Sequence, residues 1–161
     1  MSKPESIDEQ RRFIADVSAI LAPWGMQPTV ATLYAYLLLK AEPVGLDTIV
    51  AELGMAKSSA SVAARTLETY GLARRHGERG SKRVRYGASD SYSGFLISQA
   101  TLMGDLGRLI EGRAAGVAED DTLRRLRYLA AFYRKMEATI VGRVRELSDE
   151  FIRLGPDEQL R

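Results

Sequence analysis

The chain has 161 residues, of which 45% are hydrophobic and 27% charged, a balance that is typical of a soluble globular protein and excludes wholesale disorder. It contains no cysteine, which excludes disulfides, thiolate zinc sites and cysteine nucleophiles and favours a reducing cytoplasm as its location. The net charge of +2 says little about partners, and no apolar run predicts a secretory signal or a membrane span.

A capping-box sequence opens the first predicted helix. Ser6 and Glu9 have the Ser-x-x-Glu spacing in which each side chain satisfies a backbone amide of the other end, so we predict a helix start there. An apolar face at helical spacing follows and ends at Gly25, before Pro28. We predict that residues 6–24 form a helix for packing and dimerisation. Its apolar face comprises Phe13, Ile14, Val17, Leu21 and Trp24.

Three more helices are predicted before residue 72. Pro28 suits the first turn of one, whose apolar residues repeat from Val30 to Ala41 before Pro43 stops it. A two-turn helix, 46–53, closes at Gly54, and a longer helix, 57–70, has Gly71 as a left-handed C-cap. Helix, tight turn and helix is the geometry of a helix-turn-helix. The predicted buried residues are Leu46, Ile49, Val50 and Leu53 in the short helix, and Ala60, Ala63, Ala64 and Leu67 in the long one.

A basic β-hairpin is predicted next. Short extended segments at 72–76 and 82–86 flank Gly77 and Gly80, whose backbone freedom allows the chain to reverse. Between Leu72 and Tyr86 the sequence has six basic side chains and one carboxylate. This local charge favours contact with phosphates, although a charged hairpin can also serve only to protect a sheet edge from aggregation.

Two long helices are predicted after the hairpin. Ser89-Asp90 is expected to cap the first, whose apolar residues include Tyr92, Leu102, Leu106 and Leu109 and which fades near 114–118. The carboxylates at 119–121 are expected to start the second, Thr122–Leu154, because acidic groups favour the positive end of a helix.

The last helix has a heptad-like pattern. One seam recurs every seven residues from Leu126 to Leu154, and Glu137 interrupts a second seam. This spacing predicts either a dimer contact or a helix that folds back on residues 90–114 of its own chain, and the sequence leaves both open. The predicted dimerisation residues are Leu126, Tyr133, Ile140, Val144, Leu147 and Phe151.

Several short stretches between residues 25 and 90 match a known pattern. They are Ala41-Glu42-Pro43, Gly54 to Ser61, Leu67-Glu68, Tyr70-Gly71-Leu72, and Gly80 to Arg83 leading to Tyr86. Here the chain resembles the winged helix domain of MarR-type transcriptional regulators, and more closely their GbsR-like branch. The resemblance implies a mainly α fold with a small β-hairpin: a winged helix-turn-helix DNA-binding domain at 28–88, flanked by the N-terminal helix and by a helical dimerisation region at 90–154.

The resemblance also implies that the 57–70 helix enters the major groove of DNA and that the hairpin is a wing. Hydroxyls, an apolar contact and a guanidinium opposite the alanine face suit base edges, and basic side chains at the hairpin tip suit phosphates or a narrow minor groove. Serines near a helix start are often only local caps. The predicted DNA-binding residues are Lys57, Ser58, Ser59, Ser61, Val62, Arg65, Arg79, Ser81, Lys82 and Arg83.

Ala56 departs from the family pattern, which usually has a hydroxyl residue at this N-cap position. Losing that cap costs about 1 kcal/mol of local helix stability. If Ser58 or Ser59 caps instead, the helix begins two or three residues later and the base contacts move with it.

Aromatic residues are candidates for a pocket that binds a small, cationic effector between the DNA-binding unit and the long helices. Core packing is the alternative for most of them. The residues chosen are Trp24, Tyr34, Tyr36 and Tyr128.

Catalysis lacks its usual components in this sequence. His76 is the only histidine, and there is no Ser-His-Asp set, glycine-rich phosphate loop or zinc spacing, so we expect no enzyme activity, metal or cofactor. The predicted function is a cytoplasmic homodimer that binds a palindromic duplex-DNA site as a transcriptional regulator, acting as a repressor that an effector can modulate. A protein-interaction module and a structured-RNA binder are the alternatives.

Overall fold

The computed structural model describes residues 3–77, 79–90 and 92–159, and the chain divides into two compact units, residues 1–90 and 91–161. The second unit is built from two long helices. None of the helices in these described ranges is long and apolar enough to cross a membrane. The predicted mainly α class with a small β element is confirmed. In the first unit the elements are α1 Lys3–Leu21, a 3₁₀ turn Ala22–Trp24, α2 Pro28–Leu38, β1 Val44–Gly45, α3 Leu46–Leu53, α4 Lys57–Thr69, β2 Ala73–Gly77 and β3 Val84–Ala88; in the second they are α5 Ser93–Val117 and α6 Asp120–Gln159.

The core of the first unit lies where α2, α3 and α4 meet. Leu33, Leu37, Ile49 and Leu67 are its largest fully buried side chains. The predicted inward face of α4 is confirmed, because Leu67 and three alanines are all buried. Alanine adds little bulk, so α4 can lie close to α2 and still present its opposite face to solvent. The three alanines are Ala60, Ala63 and Ala64.

A three-stranded antiparallel sheet in the order β1-β3-β2 takes the place of a simple hairpin. Val44 pairs with Tyr86, and β2 and β3 pair from Ala73 opposite Ala88 to Gly77 opposite Val84. The strands predicted at 72–76 and 82–86 were therefore placed too early. Leu72 is excluded from β2 because its amide donates to the carbonyl of Leu67 at 2.9 Å and completes the end of α4.

The first helix differs from the prediction at both ends. It begins at Lys3, so the Ser6–Glu9 pair lies inside the helix and not at its start. Trp24 is not on its face: the helix ends at Leu21, because Pro23 has no amide hydrogen to donate to a carbonyl four residues earlier. Trp24 lies in the 3₁₀ turn with 51% of its surface exposed.

Helix α2 ends at Leu38, so Ala41 lies beyond it and is exposed. The amides of Leu39 and Lys40 donate to carbonyls three residues back, both at 3.1 Å, which tightens the last turn. The chain must then become extended for Val44 to join the sheet, and this pairing ends the helical pattern earlier than Pro43 would.

The predicted cap of α5 is wrong. Ser89 is buried, and its amide donates to the carbonyl of Leu72 at 3.0 Å, so this residue belongs to the strand end of the first unit. The helix begins four residues later, at Ser93, which leaves Tyr92 outside it and exposed.

In the second unit α5 and α6 pack as an antiparallel hairpin. Leu102, Leu106 and Leu109, three apolar residues of α5, are all exposed. Small residues of α5 contribute to its contact with α6, because glycine lets two helix backbones approach closely. A Cβ placed on Gly107 would lie 2.9 Å from the carbonyl oxygen of Ala130. The buried small residues of α5 are Ala100, Gly104, Gly107 and Ala114.

The heptad pattern of α6 divides between this packing and solvent. Ala130 is buried, whereas Leu147 and Phe151 are exposed, so packing within the chain accounts for only part of the seam. Glu137, which interrupts the second seam, is held by Arg108 of α5 at 2.7 and 3.2 Å. The helix is regular to Leu154, as predicted, and Gly155 breaks it with φ 70° and ψ 168°. The half-buried seam residues are Leu126, Tyr133, Ile140 and Val144.

Candidate nucleic-acid interface

Helix α4 exposes one polar edge opposite its buried alanines. Lys57, Ser58 and Arg65 are exposed, and Val62, one of the large apolar residues of this helix, is 53% exposed. Ser59 and Ser61, two of the predicted contacts, are half buried and so lie beside the exposed edge instead of on it. The edge combines a cation, hydroxyls, a methyl-bearing side chain and a guanidinium.

The start of α4 is set by Ala56. This residue is extended, with φ −64° and ψ 144°, and its carbonyl accepts the first helical hydrogen bond from Ala60 at 2.9 Å. No side chain caps the helix there. The alternative in which Ser58 or Ser59 caps a later start is therefore wrong, and Lys57 occupies the first helical position.

An ion pair joins the first turns of α3 and α4. The Lys57 ammonium donates to the Asp47 carboxylate at 2.7 Å, and both side chains are largely exposed. The hydrogen bond and charge of Lys57 lower the pKa of Asp47, and the charge of Arg83 has a smaller effect in the same direction. Asp47 was not predicted from the sequence, because only the turn between the two helices brings it to Lys57.

The loop between β2 and β3 carries the predicted wing residues. Arg79, Lys82 and Arg83 are exposed, and Lys82 and Arg83 precede β3 instead of lying in it. The Arg83 amide donates to the Ser81 hydroxyl oxygen at 3.0 Å, a local side-chain turn that shapes the loop. The loop therefore presents three cations to solvent with Ser81 bracing its backbone.

The strands of the wing add basic side chains that the site prediction left out. Arg74 and Arg75 are exposed on β2, and Arg85 is exposed on β3 directly opposite His76. Opposed residues of antiparallel strands share a face, so His76 and Arg85 lie side by side. Arg74 lies 3.9 Å from Asp90. Arg74 and Arg85 share one face of the sheet, and Arg75 lies on the other, so basic side chains extend from the loop along both strands.

The predicted effector residues lie in different surroundings. Tyr34 and Tyr36 are buried in α2, whereas Trp24 and Tyr128 are exposed. The Tyr36 hydroxyl donates to Glu52 at 2.8 Å; burial, with this bond and the charge of Glu52, raises the pKa of Tyr36. Core packing thus accounts for Tyr34 and Tyr36, and a pocket built from all four residues stays a prediction. Among the described residues, no three His, Asp or Glu side chains cluster as metal ligands would.

Comparison with known proteins supports the fold. No protein-family model and no curated protein sequence matches the chain. The crystal structure of a transcriptional regulator matches it with a TM-score of 0.75 at 19% sequence identity, over 88% of this chain and 99% of that one. At this identity the likeness establishes shared architecture, and the winged helix fold class is confirmed.

Proposed function

We propose that the chain is a sequence-specific, duplex-DNA-binding transcriptional regulator. The observation that carries this proposal is the exposed edge of α4, which presents Val62 and Arg65 to solvent in the same unit as the cationic loop 79–83. The solved regulator with the same architecture supports it. A winged helix of this kind binds DNA through non-covalent contacts and needs no catalytic activity.

Each element of the proposed interface has a distinct role. Helix α4 enters the major groove, where Arg65 can bridge two acceptors of guanine and Val62 can contact a thymine methyl group. The loop cations, Arg79, Lys82 and Arg83, contact phosphates and set the position of the protein on the duplex without reading sequence. Specificity therefore resides in α4, and much of the affinity resides in the loop.

We further propose that the protein acts as a homodimer on a palindromic site whose half-sites lie about one helical turn apart. The last turns of α6 support this, because Leu147 and Leu154 of one seam and Phe151 of the other are exposed. Contiguous apolar surface of this kind marks interaction sites. Bound at a promoter, the dimer represses by excluding polymerase, and a small molecule regulates it by favouring a dimer with the wrong half-site spacing.

A binding selection tests the proposal. Purified protein is mixed with random duplexes, bound fragments are recovered over several rounds, and anisotropy with the enriched sequence is measured across a salt series. We expect an enriched palindrome with an affinity of about 10⁻⁸ M or tighter and a steep fall in affinity with salt. Absence of binding to any duplex in dilute buffer would overturn the proposal, and stronger binding to a folded RNA hairpin would indicate an RNA-binding protein.

A further inference from the structure

An acidic side chain stands beside the proposed reading helix, and the proposed function does not explain it. Asp47 lies in the first turn of α3, and its side chain is 86% exposed. An exposed carboxylate repels phosphates, so at a DNA-binding surface it lowers the affinity for DNA. Its presence there therefore calls for another explanation. Exposed ion pairs also contribute little to folding. Stability is therefore a poor reason for placing Asp47 there.

The partner of Asp47 points to that explanation. Its carboxylate accepts a hydrogen bond of 2.7 Å from Lys57, the first residue of α4. Lys57 comes directly after Ala56, an N-cap that makes no side-chain bond to the helix. The ammonium nearest the reading edge is thus already neutralised within the protein. The charge of Arg83 also acts on the same carboxylate, which connects it electrostatically to the wing loop.

We propose that Asp47 is a specificity-determining residue, which holds Lys57 in an internal ion pair and thereby withholds this lysine from indiscriminate contact with DNA phosphates. The inference rests on the proposed DNA-binding function. Non-specific complexes depend almost entirely on phosphate contacts, so a lysine held by Asp47 weakens them. Base reading by Val62 and Arg65 does not depend on that lysine, and the ratio of specific to non-specific affinity rises.

The test compares Asp47→Asn with Asp121→Asn. Asp121 is a matched control because it is also an exposed carboxylate in the first turn of a helix, paired with Arg124 at 2.6 Å. Anisotropy is measured with a random-sequence duplex and with the selected site over a salt series. We expect Asp47→Asn to bind the random duplex several-fold more tightly than the control and with a salt slope steeper by about 0.9, which is one added phosphate contact.

A double-mutant cycle shows whether the effect passes through the lysine. In a Lys57→Met background, Asp47→Asn should change the salt slope much less, because the ammonium is absent and only the loss of the carboxylate's own repulsion of phosphates remains. An undiminished effect in that background would overturn the proposed mechanism.

The outcomes separate this inference from the proposed function. If the wild type binds duplex DNA and Asp47→Asn behaves like Asp121→Asn, or binds the random duplex more weakly, the role of Asp47 is overturned and the proposed function stands. If the wild type binds no duplex at all, both are overturned. A gain in non-specific affinity with a fall in the specificity ratio, seen only in Asp47→Asn, supports the inference.

Discussion

Two basic side chains of the wing, Arg79 and Arg83, are exposed to solvent. Both lie in an exposed loop, in which the backbone amide of Arg83 donates to the hydroxyl oxygen of Ser81. Such side chains reach phosphates of any sequence but cannot distinguish base pairs. Their removal should therefore change affinity and leave sequence preference intact.

We predict that Arg79→Ala and Arg83→Ala each weaken binding to specific and random duplexes alike and reduce the salt slope by about 1. Arg124→Ala is the control, since Arg124 is an exposed arginine of α6 far along the chain from the wing. Anisotropy titrations over a salt series measure both quantities. Unchanged affinity and slope in both wing variants would remove the loop from the interface.

Two glycines of α5 allow the packing of the helical hairpin to be tested by the same substitution. A Cβ at Gly107 would lie 2.9 Å from the Ala130 carbonyl oxygen and 3.2 Å from the Cβ of Tyr133, whereas a Cβ at Gly112 would meet nothing within 4 Å. We predict that Gly107→Ala lowers the free energy of unfolding by about 1–3 kcal/mol, because backbone must move to admit the methyl group.

The Gly112→Ala control should raise that free energy by about 0.5–1 kcal/mol, because alanine favours an exposed helix interior. Urea titrations followed by circular dichroism measure both variants. Equal stabilisation by the two substitutions would contradict the close approach of α5 to α6.

At the scale of single elements, α4 is notable for starting without a side-chain cap. The backbone of Ala56 already has the extended conformation of an N-cap, and its carbonyl accepts the amide of Ala60. A hydroxyl at this position can bond to an orphan amide of the first turn without rearrangement.

We predict that Ala56→Ser raises the stability of the first unit by about 1 kcal/mol, which thermal denaturation would detect as a higher Tm. Ala131→Ser is the control, because Ala131 is an exposed interior residue of helix α6, where serine is a slightly poorer helix former. A Tm change of the same sign and size in both variants would show that residue 56 does not cap α4.

Sheet formation shows how one element changes the boundaries of others. The glycines and basic residues near 72–86 indicated a hairpin, but its strands begin later than predicted, because Leu72 is used to complete the end of α4. The two residues of β1 are too few for a periodic pattern, so only their pairing with Tyr86 and Arg85 identifies them.

At the scale of the whole molecule, the exposed apolar residues near the end of α6 are the basis for the expected homodimer. Leu147 and Phe151, two of the predicted dimerisation residues, are exposed, with 57% of Phe151 accessible, whereas the seam residues closer to the start of α6 are buried or half buried. A second copy of the chain is the partner that the proposed palindrome requires.

We predict that the protein has twice the chain mass of 17.8 kDa in solution and that the double variant Leu147→Asp, Phe151→Asp is monomeric. The matched control is Ile152→Asp, since Ile152 is 80% exposed and lies off the seam. Light scattering after gel filtration measures the mass. The monomeric variant should also lose affinity for the palindrome, because the two DNA-binding units that contact its half-sites are no longer linked. A wild type that is already monomeric at micromolar concentration would contradict this assembly.

The amino-acid sequence by itself determined the helix-turn-helix core, the alanine face of α4 and the concentration of cations in the wing. Each of these depends on residues close together in the chain, whose periodicity, caps and charge act locally. Only the tertiary structure decided which face of α5 packs, where the strands begin and which carboxylate holds Lys57. These features join residues that are distant in sequence, such as Gly107 with Ala130 or Val44 with Tyr86, and local patterns carry no information about the partner.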